Sequence, residues 1–226
     1  MSENAVILFT RIPVAGKTKT RLMPLLTGDE CKYLHIAFLR DIFFVLHSSK
    51  FNCDIIVCYL PDGDVNELHK ILPDGDVYIP QRGETLGDRM YNAFCDVFDM
   101  GYERCLLIGS DIPLLNKSIV NNAFKTLDCN DIVICPTTDG GYYLIGMKYP
   151  CKSLFNLDEY GISSVLKKTI SASEKAGKTL GFGEVIPDID DSNDLIDLAY
   201  VLMQKNPDTA PETRRFLSTI KIMQHI

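Results

Sequence analysis

The chain has 226 residues, 46% apolar and 23% charged, with no Trp and a formal net charge of −7, enough for one large domain that buries about 70% of its unfolded surface. This excludes a disordered chain, a collagen-like repeat and a small disulfide scaffold, and no apolar run approaches the ~20 residues of a membrane span. So acidic a chain is a poor general binder of nucleic acid, which needs a basic face.

The start, Met-Ser-Glu-Asn and then Ala5 to Phe9 before Arg11, lacks the pattern of a signal peptide, so a cytoplasmic location is expected. The cysteines show no CxxC or zinc spacing and mostly fall in apolar segments, where a free thiol packs as a small hydrophobe.

The run Ala5 to Phe9 predicts a strand buried on both faces. A basic loop, Arg11 to Arg21, follows with Arg11, Lys17, Lys19 and Arg21 and no acid among them. Thr27 to Glu30 reads as a capping box, and Cys31, Leu34, Phe38, Ile42 and Val45 behind it recur at helical spacing. Asp54 to Leu60 predicts a second buried strand. Asp64 to Glu67 reads as another capping box, opening a short helix to about Leu72. Val77 to Ile79 is a third strand, and Leu86 to Met100 has the helical period. Cys105 to Gly109 is a fourth strand, followed by a helix from about Lys117 to Leu127. Asp131 to Thr137 and Tyr142 to Met147 read as strands joined through Asp139-Gly140-Gly141, a hairpin signal. Two or three helices complete the chain, broken by an extended stretch from Thr179 to Asp190.

Alternating strands and helices predict an α/β fold: a mostly parallel sheet with helices on both faces. With no linker-like stretch, residues 1–226 are expected to form one domain, its C-terminal helices starting near 192. Ligands of such sheets sit at the carboxyl ends of the strands. The hexamer Leu-Pro-Asp-Gly-Asp-Val at 60–65 and again at 72–77 reads as two similar turns, since it lacks the ligand spacing of a calcium loop.

Four motifs carry possible chemistry. Gly16-Lys17-Thr18 invites comparison with a phosphate-binding P-loop, but Arg11 stands where that motif needs its first Gly. What survives is a loop of four cations at a strand end, suited to a diphosphate or merely solvated. Asp111, in Gly109-Ser110-Asp111-Ile112-Pro113, leaves a buried strand where Mg²⁺ or Mn²⁺ takes one or two carboxylates plus substrate phosphates; a turn or cap Asp is the competing reading. In Asp139-Gly140-Gly141 the glycines let backbone approach a ligand, with Asp139 at the rim, or simply make a tight turn. In the acidic run Asp188 to Asp194, Ser192 or Asp191 is expected to cap a helix, leaving Asp190 as a second metal ligand. His35, His47, His69 and His225 have no partner that makes a nucleophile pair and are assigned to surface or packing.

The segments LFTRIPVAGKTKTRL, QRGETLGDRM, IGSDIPLL, DGGYYLIG and DIDDSNDL together resemble the DUF2064 family. Its members are GT-A-fold nucleotide-diphospho-sugar transferases related to the phospholactate guanylyltransferases. The resemblance runs from about residue 5 to 200. It implies nucleotide binding by Lys19 and Arg21, with Arg11 in the same loop, and metal binding by Asp111 with Asp190. It also implies that Gln81, Gly87 and Arg89 lie near the nucleobase. The chain departs from the family pattern at Tyr160-Gly161, where a Trp is usual nearby, and at Asp191, where a Thr is usual. No family signal extends beyond roughly Lys205.

The expected function is a metal-dependent transferase that binds a nucleotide-activated sugar and passes the glycosyl group to a small acceptor. In that chemistry Asp111 serves catalysis through the ion, and Asp139 activates the acceptor hydroxyl. The alternative is a guanylyltransferase-like nucleotidyltransferase acting on an NTP and a small phosphorylated acceptor. A third reading is a GT-A scaffold that only binds nucleotide; the acids at 111, 139 and 190 argue against it.

Overall fold

A computed structural model describes residues 2–48, 52–72, 77–157, 160 and 164–220. The middle of the second Leu-Pro-Asp-Gly-Asp-Val copy, Gly161 and His225 lie outside them. One seven-stranded sheet organises the chain: β1 (Asn4–Arg11), β2 (Cys53–Leu60), β3 (Val77–Pro80), β4 (Arg104–Gly109), β5 (Ile132–Pro136), β6 (Tyr142–Met147) and β7 (Leu180–Phe182), in spatial order β3-β2-β1-β4-β6-β5-β7. The pairs β1–β2, β1–β4, β2–β3 and β5–β7 are parallel, whereas β6 runs antiparallel to both β4 and β5. The helices are α1 (Gly28–His47), α2 (Asn66–Ile71), α3 (Leu86–Asp99), α4 (Lys117–Cys129), α5 (Val165–Lys175), α6 (Ser192–Gln204) and α7 (Pro211–Thr219). No helix among the described residues is long and apolar enough to cross a membrane.

Why β1 reads as an unbroken apolar run is plain from its two faces. Val6 and Leu8 enter one core with Leu39, Ile42 and Leu46 of α1 and Phe124 of α4. Ala5 and Ile7 enter the opposite core with Met90, Phe94 and Val97 of α3. Successive side chains of a strand point to opposite faces, so a strand covered on both sides must be apolar throughout. A third cluster joins Leu34 and Phe38 of α1 to Leu195, Leu198 and Leu202 of α6 and Leu217 of α7. The C-terminal helices are thereby packed against α1.

Thr27 and Glu30 form their capping box. Thr85 and Asp88 form another at the start of α3, a cap beyond the helical period expected there. The box expected at Asp64 does not form. Asp64 Oδ1 instead accepts from the Asn66 backbone and side-chain amides at 3.0 and 2.8 Å. Glu67 turns outward to Lys70 and Lys32. The two-residue reach of an Asx turn outcompetes the three-residue reach of the box. At the hairpin, Gly140 takes φ 93°, a region open mainly to glycine.

Candidate functional site

The register places Phe9 of β1 opposite Gly109 of β4. The basic loop and Ser110-Asp111 therefore leave the sheet side by side. Thr18 is buried and its Oγ1 accepts from Val14 N at 2.9 Å, closing the turn. Lys19 follows in the left-handed region at φ 51°. The acidic segment before α6 joins them through Ile189 N, which donates to the Asp111 carbonyl at 2.9 Å. Within that segment Asp191 caps α6, accepting from Asn193 N and Asp194 N at 2.8 and 3.2 Å. Asp194 accepts in turn from Asp190 N and Asp191 N, both at 2.9 Å. Two of the four acids are thus consumed by capping, and Asp188 and Asp190 remain for the site.

The result is a cavity of about 220 Å³ whose lining includes Arg11, Lys19, Arg21, His35, Asp111 and Asp190. Three of the four loop cations meet there, while Lys17 is exposed and outside the lining. The Lys19 ammonium donates to Asp111 Oδ1 at 2.6 Å and to the Ile189 carbonyl at 3.0 Å. Arg21 pairs with Asp190 at 3.4 Å and is largely exposed. Arg11 donates to the Lys17 carbonyl at 2.8 Å and to Asp62 Oδ2 at 3.1 Å, so it also braces the loop it begins.

Burial works to raise the Asp111 carboxyl, but Lys19 and then His35 more than offset it and hold the group below its ordinary range. Asp190 goes the other way: burial, with Asp111 beside it, raises it despite Lys19 and Arg21. His35, beneath the loop, is almost wholly buried. Its Nε2 lies 3.2 Å from Thr10 Oγ1 and 3.4 Å from the Arg11 carbonyl. Burial pushes its imidazole down to about 4; Asp111 opposes this, and Lys19 adds to it. His35, expected from sequence on the surface or in packing, lines the site. Its only signal is a histidine within the apolar period Cys31, Leu34, Phe38.

A second cavity, also of about 220 Å³, shares Asp190 with the first and is lined by Asp139, Asp188, Tyr142 and Tyr160 among others. Asp188 is pushed up to about 6, first by burial and then by Asp139 and Asp190. Nothing in the sequence singled it out from its neighbours. Asp139 Oδ1 accepts from Thr137 Oγ1 and, at 3.0 Å, from Gly141 N. Its carboxylate is therefore engaged in holding the hairpin turn.

The structure also places the three residues of the 81–89 segment. Gln81 Nε2 donates to the Thr10 and Cys58 carbonyls at 2.8 and 3.2 Å, tying together the ends of β1 and β2. Arg89 donates to the Gly83 and Glu84 carbonyls at 3.1 and 3.4 Å. Gly87 is a close-approach position: a Cβ there would fall 2.1 Å from the Phe155 carbonyl oxygen. Arg89 holds the turn before α3, Gln81 the strand ends and Gly87 the contact with Phe155, and none of the three lines the cavity that holds Lys19 and Asp111.

Among the described residues, no group of three or more His, Cys, Asp and Glu is arranged to hold a metal ion. Asp111 and Asp190 are nevertheless two hard oxygen donors on one cavity beside basic groups fit for phosphate. That matches Mg²⁺ chemistry, in which few protein carboxylates are completed by substrate phosphates and water.

The fold and this crevice define a class, the GT-A nucleotide-diphospho-sugar transferase fold. Within it, the chain belongs to the family described as "Uncharacterized protein conserved in bacteria (DUF2064)", whose model matches residues 46–162. A Desulfovibrio desulfuricans G20 crystal structure, described provisionally as a nucleotide-diphospho-sugar transferase, superposes with a TM-score of 0.90 at 30% identity, covering 100% of this chain and 98% of that one. The 2-phospho-L-lactate guanylyltransferase of Methanocaldococcus vulcanius is 30% identical over 154 residues, 67% of this chain and 65% of that enzyme. The Methanopyrus kandleri enzyme of the same name is 27% identical over 192 residues, 82% of this chain and 87% of its own length.

Proposed function

We propose that the protein is a nucleotidyltransferase, passing a nucleoside monophosphate from an NTP to a small phosphorylated acceptor, with guanine the first base to test. The observation that carries this reading is the cavity in which Arg11, Lys19 and Arg21 face Asp111 and Asp190 at the strand ends. The similarity to the guanylyltransferases weighs the same way, and shifts the balance from sugar transfer, the first expectation from sequence, to nucleotidyl transfer.

In this mechanism Lys19, Arg21 and Arg11 bind the triphosphate. An acceptor phosphate oxygen attacks the α-phosphorus, the bond to the bridging α–β oxygen breaks, and pyrophosphate leaves. The reaction needs positioning and charge neutralisation more than covalent help from the protein. Asp111 and Asp190 would hold a divalent ion, which when bound neutralises phosphate charge. The cavity beyond Asp190 is small enough to suit a compact acceptor. A phosphate nucleophile is largely ionised at neutral pH, so this chemistry asks no proton transfer of Asp139. The base-side roles expected of Gln81, Gly87 and Arg89 are then indirect, through the strand ends, the Phe155 contact and the turn before α3 that they hold.

Sugar transfer remains the second reading, favoured by the likeness to the Desulfovibrio protein along the whole chain. Product analysis separates the two. With Mg²⁺, NTPs and small phosphorylated acceptors, 2-phospho-L-lactate first, pyrophosphate should appear in step with a nucleoside diphosphate-linked product. Release of nucleoside diphosphate from a nucleotide-sugar, with no pyrophosphate from any NTP, would overturn the proposal in favour of sugar transfer.

A further inference from the structure

Lys19 is held more firmly than a loop cation waiting for a ligand. Its side chain is 6% exposed, its ammonium has two oxygen partners, and it stands 4.5 Å from the centre of the Phe38 ring. The backbone that delivers it is left-handed, a conformation rare for a residue with a Cβ. Asp111 therefore already has its cation. Asp190 has one too, in Arg21, but that pair is longer and exposed, and such pairs are weak. Each acid suited to a divalent ion is occupied by a cation suited to a phosphate.

We propose that Lys19 and Asp111 form a counter-ion switch: the ammonium obstructs the divalent ion until a nucleotide phosphate takes it over, so ion and nucleotide bind interdependently. This rests on the reading of the cavity as a metal–nucleotide site. An ion arriving alone meets the Lys19 charge at 2.6 Å from the oxygen it needs, and too few protein ligands to fill its shell. A nucleotide arriving alone meets two carboxylates beside its phosphates. Arriving together, the phosphates engage Lys19 and Arg21, release Asp111 and Asp190, and supply the missing oxygens. Binding linkage makes the effect reciprocal, so each ligand strengthens the other by the same factor.

The test is a substitution with effects of opposite sign on the two ligands. Lys19→Met keeps the apolar stem over Phe38 and removes the charge. Mn²⁺ alone, followed by the electron paramagnetic resonance signal of the free ion, should bind about 5- to 50-fold more tightly than to the wild type. GTP in EDTA, followed by calorimetry, should bind at least about tenfold more weakly. Lys19→Gln, a polar replacement, should show the same opposed pair of changes. Unchanged or weaker Mn²⁺ binding in both variants, alongside weaker GTP binding, would overturn the switch and leave Lys19 a phosphate ligand only, with the proposed function intact. A wild-type protein that binds neither Mn²⁺, GTP nor the two together would remove the metal–nucleotide reading itself, and the switch with it.

Discussion

The two cavities that meet at Asp190 are of equal size and both carry carboxylates, yet they treat charge in opposite ways. In the first, half-buried Asp111 faces Lys19 and is held below its ordinary range. In the second, Asp188 has Asp139 and Asp190 for charged neighbours and is pushed up to about 6. One residue type, placed on segments that touch, is made an anion in one place and a reluctant acid in the other. The sign of the neighbouring charges decides which, because burial raises both. The first cavity thus sets a cation against Asp111, and the second leaves Asp188 facing other carboxylates.

The sharpest way to break this contrast is to remove the anion of the paired cavity. Asp111→Asn keeps the shape but removes the charge that Lys19 faces and, under the proposed function, a charged ligand of the divalent ion. Nucleotidyl transfer should fall by roughly 10³-fold, the scale of losing a group that stabilises charge in the transition state. The variant should remain folded by circular dichroism. Full activity in a folded variant would place the ion elsewhere.

His35 tests whether the paired cavity excludes a further positive charge. The folded protein holds it near 4, below the ordinary 6.5, so between those values the unfolded chain binds a proton that the folded one does not. Stability contributed by the neutral ring is therefore present above about 6.5 and lost as pH falls toward 4, on the order of 3 kcal/mol in all. In His35→Gln that component of the acid limb should vanish: denaturation midpoints should fall less steeply between pH 6.5 and 4. Identical slopes in the two proteins would mean that His35 titrates normally.

How much of this was legible in the sequence follows from how local each signal is. β1 and β4 announce themselves because both faces are buried, and Thr27 with Glu30 because a capping box spans four consecutive residues. Asp64 misled because an Asx turn and a box begin with the same letter. Lys19 and Arg21 stand in a basic loop at a strand end, where the resemblance picks them out, Asp111 just past a buried strand and Asp190 in an acidic run, and the structure brings them to one cavity. His35 and Asp188 did not. Each gains its character from residues far along the chain, His35 from burial with Asp111 and Lys19 nearby, Asp188 from burial with Asp139 nearby. Such environments exist only once the chain has folded.

A smaller effect comes from the exposed cation of the paired cavity. Arg21 has little packing to lose, so Arg21→Ala should leave stability nearly unchanged. A charge-assisted contact to phosphate is worth about 1.5–3 kcal/mol, hence roughly 10- to 100-fold in NTP affinity, while binding of the free nucleoside is unaltered. Calorimetry with both ligands checks it. Equal weakening of nucleoside and NTP would show that Arg21 supports the loop rather than the phosphates.

The least effect on turnover is expected in the crowded cavity, at Asp139. If it took a proton from an acceptor hydroxyl, Asp139→Ala would cost the 10²- to 10⁴-fold typical of general base catalysis. The geometry argues otherwise, because one carboxylate oxygen already accepts from Thr137 and Gly141 and so closes the hairpin between β5 and β6. Removing it should cost stability, about 1 kcal/mol for the lost turn bonds. That cost is reduced by relief of repulsion on Asp188, whose carboxyl should move back toward its ordinary range. Turnover with a phosphorylated acceptor should change by less than about tenfold, well below the loss of a base. Chemical denaturation and steady-state kinetics on the same variant separate the two roles. A drop of a hundredfold or more with stability unchanged would return Asp139 to the reacting centre, and with it the case for a hydroxyl acceptor.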